Sequence, residues 1–367
     1  MKRLFAHTLL LFLFVSSVCY PQIDDSTLYQ LQQIPNDTER VNQMYQQGFN
    51  LRNANIELAF QYASVCEQEA NKSQSKKHIA KAYNLLGVLY FKKSDYELAI
   101  AYQTKALHIN QGINNASGCG INQINLGNIY AELNYNNQAE SYYLQALKTY
   151  NQLNNKLQLT RCLINIGVLK NNQKQFDAAK HQYQQALKYA QELNDIELVS
   201  DCYNNIGVNC ISERQLDSAE LYLQEALKLR EQMDDDLEKI NSYNNLAHLY
   251  IETKEFDKAK NYLELSEVLC IQQDFAEGKV ELYGNYSFWH EAQKQYEQAF
   301  RYKTKQIQLR DSIQLLDKEN NQLMLINTVT DDSESSHGNN NNWFYLVIAM
   351  LMGVIVFLGI KLKQKHE

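Results

Sequence analysis

The chain has 367 residues but only 2 prolines and 13 glycines. So few turn-formers exclude a many-stranded sandwich and a series of glycine-rich phosphate loops. Basic residues are also short, with 35 Lys and Arg against 42 Asp and Glu and a net charge of −7. That balance lacks the positive surface a nucleic acid requires, so no nucleic-acid partner is expected. No G-x-S-x-G, P-loop or G-x-G-x-x-G segment occurs, and those are the spacings that carry common nucleophile and phosphate chemistry. Between the two ends histidines are scattered as His78, His108, His181, His248, His290 and His337, with no H-x-x-x-H pair or Cys/His cluster of ligand spacing. No catalytic residue, metal or cofactor is therefore expected, and the chain reads as a non-enzyme. What is abundant is different. Hydrophobic residues make up 45%, there are 25 tyrosines, and Asn plus Gln account for about a fifth of the chain. That is enough apolar matter for a sizeable helical core.

The two ends depart from the rest. Residues 1–19 have the pattern of a secretory signal: Lys2 and Arg3, an apolar run over Leu9 to Val15, then small Ser17 and Cys19 before a cut at Tyr20. Residues 343–360 carry no charge, with Trp343 and Tyr345 at the leading end and Lys361, Lys363 and Lys365 directly behind. Eighteen residues at about 1.5 Å rise approach the thickness of a bilayer core, and the flanks fit an interfacial aromatic belt and a positive-inside tail. The expectation is a single-pass protein of the inner (cytoplasmic) membrane. Its N-terminal domain would lie on the periplasmic side and residues 361–367 would form a cytoplasmic basic tail.

Between the ends, self-similarity dominates. Alanine recurs at Ala59, Ala99, Ala139, Ala179, Ala219, Ala259 and Ala299, a step of 40. Twelve residues before, from the second copy on, stands a small residue: Gly87, Gly127, Gly167, Gly207, Ala247 and Ser287. Apolar residues fall at helical intervals on both sides of a short polar link, which describes two antiparallel helices per unit. Each hairpin exposes one apolar face that stacking on the next buries. The reading is an all-α solenoid of about seven hairpins plus one C-terminal transmembrane helix. The expected segments are a lead-in over 20–39, the solenoid over 40–318, a capping helix end and polar linker over 319–342, then the membrane span.

On the residues Leu86-Gly87-Tyr90-Ala99-Ala106-Leu107 and Leu126-Gly127-Tyr130-Ala139-Ala146-Leu147, the chain resembles the tetratricopeptide repeat family. Lys170, Cys210 and His290 replace the tyrosine in later copies, the usual terminal proline is missing, and the first copy matches only in its second helix. The wider order resembles the sensor half of membrane-bound tetratricopeptide proteins of Bacteroidetes-type bacteria, without a kinase or DNA-binding domain. The resemblance implies protein or extended-peptide binding as a sensor or scaffold subunit, working with a separate membrane effector. Alternatives are a structural assembly factor for envelope complexes and a sensor whose effector is encoded elsewhere.

The candidate site is a ladder. Asn125, Asn165, Asn205, Asn245 and Asn285 stand at one phase of five consecutive first helices, although Asn is a mediocre helix residue. The resemblance places that phase on the inner, concave wall. An amide offers donor and acceptor, so it can pair with the backbone of an extended peptide without reading its sequence. Asn84, Asn128, Arg161, Asn204 and His248 share the face, and the groove reads as suited to a neutral or weakly basic segment. The alternative is that the amides only bridge adjacent first helices. Six cysteines beyond the signal read as small core residues, because their phases do not bring pairs within disulfide reach. Leu309, Leu316 and Leu323 form a weak heptad over 307–326. That segment reads as a helix capping the last repeat; alternatively it, or the small pair Ala349 and Gly353 of the span, offers a route to a homodimer.

Overall fold

A computed structural model describes residues 26–313, apart from 54 and 234. The signal-like segment, the 319–342 linker, the 343–360 run and the basic tail lie outside the described residues. A short helix α1 (Ser26–Gln32) precedes seven hairpins. They pair α2 (Asp37–Leu51) with α3 (Ile56–Lys72), α4 (Lys76–Lys92) with α5 (Tyr96–Gly112), and α6 (Ala116–Glu132) with α7 (Asn136–Gln152). Next come α8 (Lys156–Asn172) with α9 (Phe176–Leu193), α10 (Ile196–Ser212) with α11 (Leu216–Met233), and α12 (Asp236–Glu252) with α13 (Phe256–Gln272). The last pair is α14 (Ala276–Ala292) with α15, described over residues 296–313. Among the described residues there is no strand.

The links explain why helices stop so regularly. After α4, Lys93 N–H still reaches Leu89 O, Ser94 turns left-handed at φ 56°, and Asp95 N–H closes back onto Tyr90 O at 2.9 Å. Asp95 then caps α5, its carboxylate accepting from Leu98 N–H at 3.1 Å. The helix end therefore satisfies its own carbonyls and the next helix its own donors. Left-handed residues recur every 20 residues from Gln74 to Arg214 and again at Lys254, Asp274 and Lys294. The backbone thus repeats every hairpin arm, while the side-chain pattern repeats every hairpin.

Packing follows the small residues. Ala59, Ala99, Ala139, Ala179, Ala219 and Ala259 are fully buried. A Cβ on Gly127 would lie 2.4 Å from the Tyr143 ring, and one on Gly167 equally close to Tyr183. These glycines mark where a second-helix side chain crosses directly over first-helix backbone. Consecutive first helices (α2, α4, α6, α8, α10, α12, α14) pack on one another, whereas the second helices described in full approach each other less closely. The array must curve with first helices inside. It curves far enough that Glu277 and Ile313 of the last hairpin share a pocket of about 370 Å³ with Arg52, Asn55 and Lys92 of the first two.

The first copy is a full hairpin, which the fixed step of 40 hides. Lys81 Nζ donates to Asn42 Oδ1 at 2.7 Å and Asn84 Nδ2 to the Tyr45 hydroxyl at 2.9 Å, both across a step of 39. Gly48 takes the role of the helix glycine, its missing Cβ facing Leu85 and Tyr62. Five of the six cysteines are buried and Cys119 is half-buried, all free. Burial pushes the Cys66, Cys162 and Cys202 thiols up to about 12, which leaves them inert. Leu309 is half-buried on α15, while Leu316 and Leu323 lie outside the described residues.

The membrane expectation is corrected. Among the described residues no helix is long and apolar enough to cross a membrane. The described helices carry exposed or half-buried polar or charged residues among their buried ones. The run over 343–360, on which the inner-membrane, single-pass location rested, lies outside the described residues and gives it no support.

Candidate functional site

The inner wall is built from one stripe of each first helix. Its ladder amides are half-buried at Asn125, Asn165, Asn205 and Asn245 and buried at Asn285. Four of the five reach the preceding first helix. Asn125 Nδ2 donates to Asn84 Oδ1 at 2.8 Å, Asn165 Nδ2 to Asn128 Oδ1 at 3.1 Å, and Asn245 Nδ2 to Asn204 Oδ1 at 2.9 Å. Asn285 Nδ2 donates to the Asn244 carbonyl at 3.0 Å. Asn205 differs: it donates to Asp201 O of its own helix at 2.8 Å and ties nothing across. The donors of the ladder are thus anchored. The carbonyl oxygens of Asn125, Asn165, Asn205 and Asn245 accept no hydrogen bond among the described residues. They are acceptors with fixed rotamers, whose ordering entropy is already spent on folding.

The remaining sequence-derived residues join the same wall. Asn84 and Asn128 are acceptors for the ladder, and Asn128 also takes the Tyr143 hydroxyl at 2.8 Å. Asn204 accepts from Arg230 Nη1 at 3.3 Å as well as from Asn245. Arg161 is exposed one turn before Asn165. His248 stacks on Phe288 of the next first helix, 5.4 Å between centroids.

Several residues escaped the sequence reading. Gln103, fully buried, donates to Asn84 O at 3.0 Å and accepts from Asn122 Nδ2 at 2.7 Å. Asn110 donates to Asn122 Oδ1 at 2.8 Å. This buried amide network backs a pocket of about 380 Å³ lined by Tyr45, Lys77, Lys81, Asn84, Ile121 and Asn122. A signal existed. Gln103 stands where later copies place Tyr143, Tyr183, Leu223 and Leu263, and Asn110 where they place Tyr150, Ala190, Arg230 and Cys270. A buried amide in columns otherwise held mostly by Tyr, Leu, Ala or Cys marks the network.

Burial lowers Lys81 from the ordinary lysine range and raises the Asp201 and Glu281 carboxyls, with Arg230 pulling Asp201 back and Asn244 pulling Glu281 back. Glu281 is exposed by area, so its upward shift comes from the concave surroundings rather than from enclosure. Burial also lowers His248 and His78 below the ordinary 6.5. Between those lowered values and 6.5 the unfolded chain binds more protons than the folded one, so stability rises with pH. The stabilisation is present at neutral pH and is lost as pH falls below 6.5 through the folded values. Raised carboxyls act with the opposite sign, so the comparison must isolate one group. His248→Val, matching Val88, Val168 and Val208 at the same position, is expected to flatten the fall in Tm between pH 7 and 5. Identical slopes for the two proteins in thermal melts would refute it.

A family model for the tetratricopeptide repeat matches residues 78–152, 158–232 and 200–267, half of the chain. No curated protein matches the sequence. Among solved structures, the apo form of RapI superposes with a TM-score of 0.61 at 13% identity, covering 74% of this chain and 98% of that one. NprR in complex with its cognate peptide NprX gives 0.58 at 16% identity, covering 89% and 90%. A Rap protein complexed with competence and sporulation factor gives 0.57 at 14% identity, covering 78% and 90%. At these identities the likeness is one of fold.

Proposed function

The chain belongs to the tetratricopeptide repeat family, and from that premise we propose that its inner wall binds an extended peptide or protein segment, as the recognition arm of a sensor or scaffold. It is a protein-binding module of repeat type. The observation that carries the peptide reading is the row of anchored amides with unused carbonyl oxygens. Main-chain N–H groups of an extended segment are the donors such a row fits, and they are common to every sequence. That two structures of the same fold hold peptides, NprR with NprX and a Rap protein with competence and sporulation factor, supports the reading by analogy. Because four ladder amides also tie helices together, removing them tests two things at once. Asn205 does not. A random library of about 15-residue peptides is panned against the protein, and binders are measured by fluorescence anisotropy. Asn205→Ala is expected to weaken binding by about 0.5–1.5 kcal/mol with little change in Tm. Asn245→Ala is expected to lower Tm as well. Full retention of binding by Asn205→Ala, or binders that map to the outer face, would reject the wall as the site.

A further inference from the structure

The charged side chains on this wall are sorted by position along the array. On the stripe that runs one and two turns before the ladder, α4 and α8 contribute Lys77, Lys81 and Arg161, while α6 contributes Ser117 and Ile121. No carboxylate stands on that half of the stripe. Beyond it the sign reverses. α10 contributes Glu197 and Asp201 and α14 contributes Glu281, while α12 places Leu237 and Asn241 on the stripe with Glu238 one residue off it. One guanidinium answers these four: Arg230, reaching in from α11 to Asp201 Oδ1 at 3.0 Å and Glu238 Oε2 at 2.9 Å. Glu197 and Glu281 are exposed, and neither forms an ion pair among the described residues. Glu277, next on the stripe, instead faces Lys92 across the pitch of the array. At the other end Lys81 lies over the Tyr45 ring with its ammonium donating only to the Asn42 amide, so its charge is unneutralised. The half-buried floor between, Asn125, Asn165, Asn205 and Asn245, is uncharged.

Resting on the peptide reading above, we infer that the groove takes a peptide of segregated charge. Its acidic end lies on α4–α8, against the pocket of Lys77 and Lys81, and its basic end on α10–α14. Charge complementarity carries this. A uniformly acidic or basic segment meets like charge over half its length, and an interleaved one gains at one residue what it loses at the next. The groove selects against both while the amide floor accepts any backbone. Neighbouring first helices stand about 8–10 Å apart, so the path along the curved wall from Lys81 to Glu281, five steps, is an arc of about 40–50 Å. At about 3.3 Å per extended residue that is a segment of roughly 12–15 residues.

The test uses two synthetic peptides of about 14 residues and identical composition. One has four Glu at one end, a neutral Ser/Ala centre and four Lys at the other; the second alternates Glu and Lys. Termini are acetylated and amidated. The segregated peptide is expected to bind at least about tenfold tighter at low salt, with the advantage fading as ionic strength rises. Lys77→Glu with Lys81→Glu should abolish that advantage. Adding Glu197→Lys and Glu281→Lys should restore it, because the peptide then lies the other way round. A photo-crosslinker at the acidic end should label α4–α8 in the native protein and α10–α14 in the reversed one. Equal affinities within twofold, or labelling at the opposite end, overturn the charge order yet leave the amide wall standing. Labelling only outside the inner wall overturns both. Failure of both peptides to bind overturns the charge order, and the Asn205 measurement then decides the wall.

Discussion

Arg230→Ala is expected to destabilise the fifth and sixth hairpins by about 3 kcal/mol, the low end of what breaking a buried ion pair costs. The guanidinium is almost fully buried, at 2% exposure, on a second helix whose neighbours at this position are Tyr150, Ala190 and Cys270. It threads between α10 and α12. Nη2 meets Asp201 and Glu238, and Nη1 donates to Ser242 Oγ at 2.9 Å and to the Glu238 carbonyl at 3.2 Å. Alanine leaves a cavity and two facing carboxylates. Both are about a third exposed, so water relieves part of the penalty, which sets the estimate low. The Asp201 carboxyl is already above its ordinary range through burial and loses its main counterweight in the variant. A carboxyl with a raised folded value disfavours the fold once ionised, so the variant should regain stability on acidification through that value. Arg230→Met with Asp201→Asn and Glu238→Gln should recover most of the loss at pH 7, because it removes the charges with their partner. Urea unfolding followed by circular dichroism, with hydrogen exchange to place the change, checks this. A cost under about 1 kcal/mol with no pH dependence would sink the account.

Arg230 also shows where the sequence was legible and where it was not. All of the hairpins but the first helix of the first were readable because close packing leaves its mark at fixed phases. Ala99, Ala139, Ala179 and Ala219 have no room for anything larger, and Gly127 and Gly167 have none even for a methyl. The first helix of the first hairpin escaped because its register is 39, visible only through contacts such as Asn84 to Tyr45. The ladder was legible as a phase. Its hydrogen bonds were not, since whether Asn125 reaches Asn84 or a ligand depends on how far neighbouring helices stand apart. Charge order along the wall was hidden for the same reason: Lys81, Arg161, Asp201 and Glu281 are spread over 200 residues and become one surface only when first helices stack. Asn209 remains without a physical account. It is buried where other copies have Leu89, Ile129, Leu169 and Leu249, and neither atom of its amide finds a partner.

Gly167→Leu is expected to cost about 3 kcal/mol, the upper end for overpacking. A Cβ there would stand 2.4 Å from Tyr183 Cε1 and 2.7 Å from Cδ1, and the remaining leucine carbons would follow into the ring. Tyr183 is 1% exposed and packs in a cluster with Ile206 and Leu223, so it has nowhere to swing. Leucine is a better helix former than glycine by just under ~1 kcal/mol, which opposes the clash without matching it. Gly207→Leu should be milder, because the nearest atoms there belong to the flexible Leu223 side chain, with backbone only at 3.3 Å. The decisive arm is a double substitution. Tyr183→Ala alone should cost about 3–5 kcal/mol through the cavity it leaves. With Gly167→Leu beside it, the new side chain enters the space the ring gave up. The pair should then cost less than the sum of the singles by about 1–2 kcal/mol. Hydrogen exchange should show loosening confined at first to α8, α9 and their immediate neighbours, since repeat arrays couple mainly to adjacent units. Strict additivity of the two substitutions would mean that Gly167 and Tyr183 do not meet, and the register that sets every residue of the inner wall would have to shift with them.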